Sequence, residues 1–167
     1  MEPFGNPSTN MSESKPVSTG SKAPLFTLPD ETGKKHALKD LIKKKPVVLI
    51  FYPGDMTPGC TVQLRSVRND WKKFQDAGVS VYGVNHADAE SHKKFSDTFR
   101  FPFPLLIDKG KRVSDKYNAV KPFFKSNVIK RTVVGIGTDG MIFYYKRGMP
   151  KDSEILKAVK AWKASNR

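Results

Sequence analysis

Cysteine is almost absent from this sequence, since its 167 residues include only Cys60. One cysteine excludes an internal disulfide and also the Cys-x-x-Cys pair that dithiol–disulfide exchange requires, and it suits a reducing compartment. Long apolar runs are missing too, because no stretch reaches the ~18 residues that suggest a membrane span. The first twenty residues have neither the basic start nor the apolar core of a secretory signal. We therefore expect no membrane association, and the cytoplasm is the predicted location.

Acidic residues are also few, with 16 Asp and Glu against 30 Lys and Arg, which gives a net charge of +14. Between Lys109 and Arg131 there are eight basic residues and one acidic residue, Asp115. Such a surface attracts nucleic acid non-specifically. No zinc-finger or RNA-recognition motif accompanies the charge, so we interpret it as a solvated surface. A nucleic-acid-associated protein stays open only as an alternative.

The chain divides by composition into a tail and one domain. Residues 1–20 are rich in Ser, Thr, Pro, Gly and Asn, and we expect them to be disordered because they bury too little apolar surface. Residues 21–167 suit a single domain. Apolar patterns in this domain predict strands at 23–28, 46–52, 79–85, 104–108, 131–138 and 141–146. They predict helices at 58–77, 89–99, 111–117 and 153–164, and a short helix or turn within 36–45.

The order of these elements predicts an α/β domain. Strands and helices alternate, and the chain ends with a hairpin around Asp139-Gly140 and an amphipathic helix. A central mixed sheet flanked by helices follows from that order. A thioredoxin-like fold is compatible with it, although periodicity alone does not separate this fold from other α/β sandwiches.

The segment that carries Cys60 joins a buried strand to a helix. Thr57 is a natural N-cap and Pro58 suits the first helical position, so Cys60 falls in the first turn. Unpaired backbone N–H groups and the helix dipole favour a thiolate there, and the thiolate is the nucleophile. A lone cysteine on the same apolar face as Leu64 and Val67 is, however, more often an inert core residue.

The motif around Cys60 resembles a known active site. Pro53-x-x-x-Thr57-x-x-Cys60 is similar to the signature of the peroxiredoxin superfamily (AhpC/TSA), and residues 51–63, FYPGDMTPGCTVQ, resemble its bacterioferritin-comigratory or Q-type branch. Further similar blocks are SHKKF at 91–95, FPLLID at 103–108 and KRT at 130–132 ahead of Asp139-Gly140. The resemblance covers residues 21 to 162.

The resemblance implies a thiol peroxidase that reduces hydrogen peroxide and organic hydroperoxides, an antioxidant role in cell redox homeostasis. Cys60 would attack the peroxide and become a sulfenic acid. Thr57 would hydrogen-bond the thiolate and orient the peroxide. Pro53 would shield the thiolate from water. Arg131 would place its guanidinium beside Cys60 and stabilise charge on the leaving oxygen.

The sequence departs from this branch at both positions where a second, resolving cysteine would be expected. Arg65 occupies the position five residues after Cys60, and Ser114 occupies the position in the short helix after the strand at 104–108. We therefore predict a one-cysteine mechanism completed by an external thiol such as thioredoxin, glutaredoxin or a small thiol. A redox-sensing thiol protein without turnover is the alternative. The resemblance is compatible with a monomer or a homodimer.

No metal, haem or nucleotide is expected, because the reaction runs on the cysteine sulfur and external electrons. His36, His86 and His92 have neither metal-ligand spacing nor a helical i, i+4 pair. We interpret His86 as a surface residue, and the three histidines carry no predicted role.

Overall fold

The structure is a computed structural model, and it describes residues 17–166. The prediction of disorder for residues 1–20 therefore falls mainly outside the described residues. Of the four that are described, Val17 packs against the hydrophobic core and the Gly20 N–H donates to the Ile142 carbonyl at 2.8 Å. Contacts with the domain thus begin before residue 21.

Nine strands are present in residues 17–166, and they are numbered here in chain order. They are β1 Thr27–Pro29, β2 Lys35–Ala37, β3 Val47–Phe51, β4 Ser80–Asn85, β5 Leu105–Ile107, β6 Val120–Phe123, β7 Ser126–Ile129, β8 Thr132–Ile136 and β9 Ile142–Arg147. The α-helices of the same range are α1 Leu38–Leu41, α2 Pro58–Asn69, α3 Trp71–Asp76, α4 Ala89–Phe99, α5 Arg112–Lys116 and α6 Asp152–Ser165. A 3₁₀ turn, Lys109–Lys111, leads into α5.

Five strands form the central sheet in the order β5-β4-β3-β8-β9. The pairs β3–β4 and β4–β5 are parallel, while β8 runs antiparallel to both β3 and β9. The predicted central mixed sheet is therefore confirmed. Within residues 17–166, no helix is long and apolar enough to cross a bilayer.

The middle strand β3 is buried over its whole length, as expected for a strand covered on both faces. Val47, Leu49 and Phe51 point into one core cluster, which also contains residues of α1 and α5. Val48 and Ile50 point into the other cluster, which contains residues of α2, α3, α4 and α6. The helix that carries Cys60 thus packs on a different face of the sheet from α5.

The helix predicted over residues 58–77 is interrupted. Asp70, with φ −97° and ψ 16°, ends α2 and begins α3. The Asp70 carbonyl accepts from the N–H groups of Lys73 and Phe74, so a new helical turn starts there. Aspartate is among the weaker helix formers, in keeping with an interruption at this residue. The helix predicted to end at residue 77 ends at Asp76, and Gly78, with a φ of +68°, follows shortly after.

The antiparallel hairpin β6–β7 was not predicted. It forms a two-stranded sheet of its own, and its residues are mostly exposed. A strand with one buried face shows alternating apolar residues, and this hairpin buries only Ile129 fully.

The predicted hairpin at Asp139-Gly140 is confirmed. Its loop has three residues, Thr138 to Gly140, and is closed by a hydrogen bond from the Gly137 N–H to the Met141 carbonyl at 2.9 Å.

Asp152, at the start of α6, gives the fold a pH dependence. Burial, together with the nearby Asp70 carboxylate, raises its pKa from 3.8 to about 6, while the Ser66 hydroxyl donates to Oδ2 at 2.6 Å. The folded state therefore binds a proton more tightly than the unfolded chain, so stability is lost as pH rises from about 4 to about 6.

We expect Asp152→Asn to raise the free energy of unfolding at pH 7 by about 1 kcal/mol, allowing for solvent screening near the protein surface. The gain should vanish below pH 4, where Asp152 is protonated in both states. Urea unfolding at pH 4, 5.5 and 7 measures both effects. The same substitution at exposed Asp76 is the control, and an equal gain from Asp152→Asn at all three pH values would contradict the assignment.

Candidate active site

Cys60 lies in the first turn of α2, where the sequence places it. Thr57 is the N-cap residue, Pro58 takes the first helical position, and the first helical hydrogen bond runs from Thr61 N–H to the Thr57 carbonyl at 2.9 Å. The Cys60 residue has no exposed surface, whereas Thr57 and Pro58 are exposed. The sulfur is therefore beneath the surface at the positive end of a twelve-residue helix, where backbone amides and the helix dipole favour an anion.

The side chain of Arg131, which comes from a different part of the chain, contacts this sulfur. It immediately precedes β8, the neighbour of β3 in the sheet, and its Nη1 lies 3.4 Å from Cys60 Sγ. Because an arginine is always protonated, the contact places a fixed positive charge beside the thiol. The structure thus brings Cys60 and Arg131 together across 71 residues of chain.

Gln63 holds the same guanidinium and was not among the predicted site residues. Arg131 Nη1 donates to Gln63 Oε1 at 2.9 Å, and Gln63 is buried one turn after Cys60 on α2. The i, i+3 spacing from Cys60 was the available signal, since it places both residues on one face of the helix. Without knowledge of where Arg131 lies, a glutamine at that spacing does not stand out.

Gly59 lets the guanidinium lie against the helix. A Cβ placed on Gly59 would lie 3.0 Å from Arg131 Nη2, closer than ordinary van der Waals contact. The sequence Pro58-Gly59-Cys60 therefore provides the gap through which Arg131 approaches the sulfur.

We expect Gly59→Ala to displace the guanidinium and to slow oxidation of Cys60 by peroxide on the order of tenfold, since small misplacements of a charge near a reacting atom are costly. Alanine suits a helix better than glycine by ~1 kcal/mol, so the variant should not unfold earlier. Stopped-flow oxidation and thermal unfolding check the two expectations together. An unchanged rate, or a parallel loss of stability, would argue against this role for Gly59; Val62→Ala on the exposed face of α2 is the control.

Thr57 and Pro53 lie in the loop that precedes α2. The Thr57 hydroxyl donates to the Gly54 carbonyl at 2.8 Å and makes no capping hydrogen bond, so Thr57 caps the helix by position and not through its side chain. Pro53 follows directly after Tyr52 and is half-buried. The hydrogen bond of Thr57 to the thiolate, and contact of either residue with peroxide, stay predictions.

A buried network beneath this loop was also missed from the sequence. Asp55 accepts hydrogen bonds from the Tyr52 hydroxyl at 2.7 Å and from the Ser91 hydroxyl at 2.7 Å, and it pairs with His92 at 2.7 Å. Asp55 and His92 lie 37 positions apart in the sequence. The sequence analysis assigned His92 no role, so it did not anticipate this pair. His36 forms a second buried pair, with Asp30 at 2.8 Å.

The two positions at which a second cysteine would be expected are occupied by residues with other contacts. Arg65 is exposed, and its guanidinium carbon lies 5.8 Å from the centre of the Phe99 ring. Ser114 is buried in α5, and its hydroxyl donates to Asp108 at 2.7 Å. Cys60 is the free thiol of the described chain.

The described residues offer no evident metal site. Nowhere in residues 17–166 do three or more His, Cys, Asp or Glu side chains gather in a way that would hold a metal ion. His86 is exposed at the end of β4, and burial of part of its ring together with the charge of Lys111 lowers its pKa. It lies at the surface, in agreement with the sequence-based interpretation.

Comparison with known proteins identifies the class to which this fold and site belong. Residues 19–145 match the AhpC/TSA family. The chain belongs to the AhpC/TSA family, which is the family of the peroxiredoxins predicted from the motif. A solved structure, the peroxidoxin BcpB of Mycobacterium tuberculosis, superimposes with a TM-score of 0.81 at 30% identity, covering 87% of this chain and 97% of that one. The predicted thioredoxin-like fold is thus confirmed.

The named relatives define the branch. The chloroplastic peroxiredoxin Q of Triticum aestivum is 41% identical over 145 residues, which are 86% of this chain and 66% of that protein. A putative peroxiredoxin bcp of Coxiella burnetii is 39% identical over 147 residues, covering 86% of this chain and 97% of that protein. The chain spans just under two thirds of the length of the plant relative. The predicted resemblance to the Q-type or bacterioferritin-comigratory branch is confirmed by both.

Proposed function

We propose that this chain is a thiol peroxidase of the one-cysteine type, which reduces hydrogen peroxide and organic hydroperoxides through Cys60. The observation that carries the proposal is the 3.4 Å contact between Arg131 Nη1 and Cys60 Sγ at the start of α2. A buried, inert cysteine has no need of a guanidinium, whereas a reactive thiolate is stabilised by one. Membership of the AhpC/TSA family supports the same conclusion.

In the proposed first step, the Cys60 thiolate attacks the terminal oxygen of the peroxide. A sulfur–oxygen bond forms, the oxygen–oxygen bond breaks, and the leaving alkoxide or hydroxide takes up a proton, so Cys60 becomes a sulfenic acid. Sulfur is oxidised by two electrons and the peroxide is reduced by two. Arg131 would stabilise the negative charge that moves from sulfur to the leaving oxygen, and its contact with Sγ supports this role.

Thr57 and Pro53 complete the proposed site. The single proton of the Thr57 hydroxyl is donated to the Gly54 carbonyl, which leaves the oxygen lone pairs available to accept the O–H of a hydroperoxide. That hydrogen bond would orient the peroxide with its terminal oxygen towards sulfur. Pro53, two residues after the end of β3, would restrict the access of water to the thiolate.

The second half of the cycle needs an outside thiol. Thioredoxin, glutaredoxin or a small thiol would attack the sulfenic acid, release water and leave a mixed disulfide, and a second thiol would then restore Cys60. A cytoplasmic location and a monomeric or homodimeric state accompany this proposal. The net charge of +14 is proposed to be solvated surface and not a nucleic-acid site.

Steady-state turnover separates a peroxidase from a redox sensor. Hydrogen peroxide consumption is measured with three reductants in turn: thioredoxin with its reductase, glutaredoxin with glutathione, and dithiothreitol. The proposal predicts repeated turnover with at least one of them and none for Cys60→Ser. One stoichiometric oxidation of Cys60 followed by no turnover with any reductant would favour the redox sensor.

A further inference from the structure

The loop that carries Cys60 is tied to the rest of the fold by a buried histidine. His92, on α4, has a fully buried side chain, and the side chain of Asp55 in the loop is only 4% exposed. Nδ1 of His92 lies 2.7 Å from Asp55 Oδ2, and Nε2 lies 3.0 Å from the Leu106 carbonyl oxygen in β5. Both ring nitrogens therefore face oxygen atoms.

The partners of His92 fix its protonation. A carbonyl oxygen only accepts hydrogen bonds, so Nε2 must carry a proton to bond Leu106. Burial opposes the charge of Asp55, but hydrogen bonds from His92, Tyr52 and Ser91 and the charge of His92 outweigh it and hold the pKa of Asp55 below its usual value. An ionised carboxylate also only accepts, so Nδ1 carries a proton as well. Contacts of both ring nitrogens with acceptor oxygens therefore favour the imidazolium form.

The carboxylate of Asp55 belongs to the loop that leads into α2, and Tyr52 connects it to the core around Cys60. Burial first, and then the charges of Asp55 and Cys60, raise the pKa of Tyr52 well above its usual value. The Tyr52 hydroxyl donates to Asp55 at 2.7 Å, and the Tyr52 side chain shares a core cluster with Cys60. A carboxylate left without a partner here would oppose a thiolate at Cys60, because like charges in a buried region repel strongly.

We propose that His92 is a positioning residue for peroxide reduction: its charged ring neutralises Asp55 and ties the Cys60 loop to α4 and β5. This inference rests on the proposed function, because it concerns how readily Cys60 becomes a thiolate in place. The Asp55 anchor lies midway between Pro53 and Thr57, and its partners Ser91 and His92 are 36 and 37 residues away along the chain.

Other charged groups lie around the pair without replacing it. His86, Asp108 and Lys111 lie at the same edge of the sheet. The Glu31 carboxylate also acts on Tyr52, and its Oε1 accepts from the Leu105 N–H at 3.1 Å. The Asp108 carboxylate is already bonded to the backbone N–H groups of Val113 and Ser114 and to the Ser114 hydroxyl. Asp55 therefore depends on His92 for its positive partner.

A spectroscopic experiment tests the charged ring without relying on activity. Nitrogen-15 labelling of histidine reports protonation at each ring nitrogen, and the chain has three histidines. We expect protons on both nitrogens of His92 at pH 7.5, while exposed His86, whose pKa is lowered by partial burial and by Lys111, should be neutral. A neutral tautomer of His92 at pH 7.5 would overturn the proposal even if the chain proves to be a peroxidase.

A double-mutant cycle tests the effect on Cys60. His92→Gln should slow the oxidation of Cys60 by peroxide on the order of tenfold at pH 7, because it leaves the Asp55 charge unpaired. The double variant Asp55→Asn/His92→Gln should be oxidised at least about threefold faster than His92→Gln, since the opposing carboxylate charge is then gone. The matched control is His36→Gln, which breaks the other buried His–Asp pair and should leave the rate unchanged.

The pH profile distinguishes positioning from general support of the fold. His92→Gln should shift the rate–pH curve to higher pH, and Asp55→Asn/His92→Gln should shift it back. Losses of equal size at every pH, or a double variant no faster than His92→Gln, would mean that His92 only stabilises the fold and would overturn the proposal. Wild-type oxidation no faster than that of an ordinary thiol, with an imidazolium at His92, would instead count against the proposed function alone.

Discussion

Replacing Arg131 by methionine is expected to slow formation of the Cys60 sulfenic acid by ~10²–10³-fold, the usual cost of removing one donor from a developing oxyanion. Methionine keeps much of the side-chain length and apolar volume but has no charge and no hydrogen-bond donor. The contact of Nη1 with Cys60 Sγ at 3.4 Å and its bond to Gln63 at 2.9 Å would both disappear. Rapid mixing with hydrogen peroxide, followed by trapping of the sulfenic acid, measures the rate.

Arg147→Met is the matched control for this prediction. Arg147, on β9, is also half-buried, and it donates to the Asn118 carbonyl at 2.8 Å and to the Thr132 hydroxyl at 3.3 Å, away from the sulfur. Arg147→Met removes the same charge from the protein as Arg131→Met does. The rate of Cys60 oxidation in the Arg147→Met variant should therefore stay within a few-fold of the wild-type rate. Equal slowing by the two variants would assign the effect to net charge and remove Arg131 from the site.

The second large effect concerns the helix that presents Cys60. Leu64 lies one turn after Cys60 on α2 and has no exposed surface. Leu64→Ala should lower the free energy of unfolding by about 3 kcal/mol, through lost burial and the cavity left behind. For a domain of this size, such a loss lowers the unfolding temperature by about 6–12 °C.

Leu25→Ala is the matched control, because Leu25 is 53% exposed and the same atoms are removed from the surface. It should change stability by less than about 0.5 kcal/mol. Chemical denaturation of both variants provides the comparison. A small loss for Leu64→Ala, similar to that for Leu25→Ala, would mean that α2 is not packed on the sheet as described.

Much of the fold was predictable because burial leaves a periodic mark on the sequence. The apolar run around β3 and the 3.6-residue pattern of α2 each reflect one local packing environment. The hairpin β6–β7 was missed because its side chains are mostly exposed, so its sequence carries no burial pattern. The interruption at Asp70 was missed for a similar reason, since one polar residue does not disturb the apolar face on either side.

The residues of the candidate site also fall into two groups: those that local sequence rules place, and those that depend on contacts made only in the folded chain. Thr57, Pro58 and Cys60 lie within four residues of one another, and local rules for helix starts place the sulfur correctly. Arg131 was found only through the resemblance to a known family. Gln63 and His92 depend on contacts made after the chain folds, and neither residue type at its position predicts the partner.

The measurement that tests the central claim most directly is the rate at which Cys60 is oxidised in a single turnover. Rapid mixing with hydrogen peroxide, and separately with a small alkyl hydroperoxide, is compared with the same chain unfolded in urea, where Cys60 is an ordinary thiol. We predict that the folded chain reacts at least ~10³-fold faster, because the helix start and Arg131 stabilise the charge that develops. A folded-state rate within a few-fold of the unfolded rate would contradict the account.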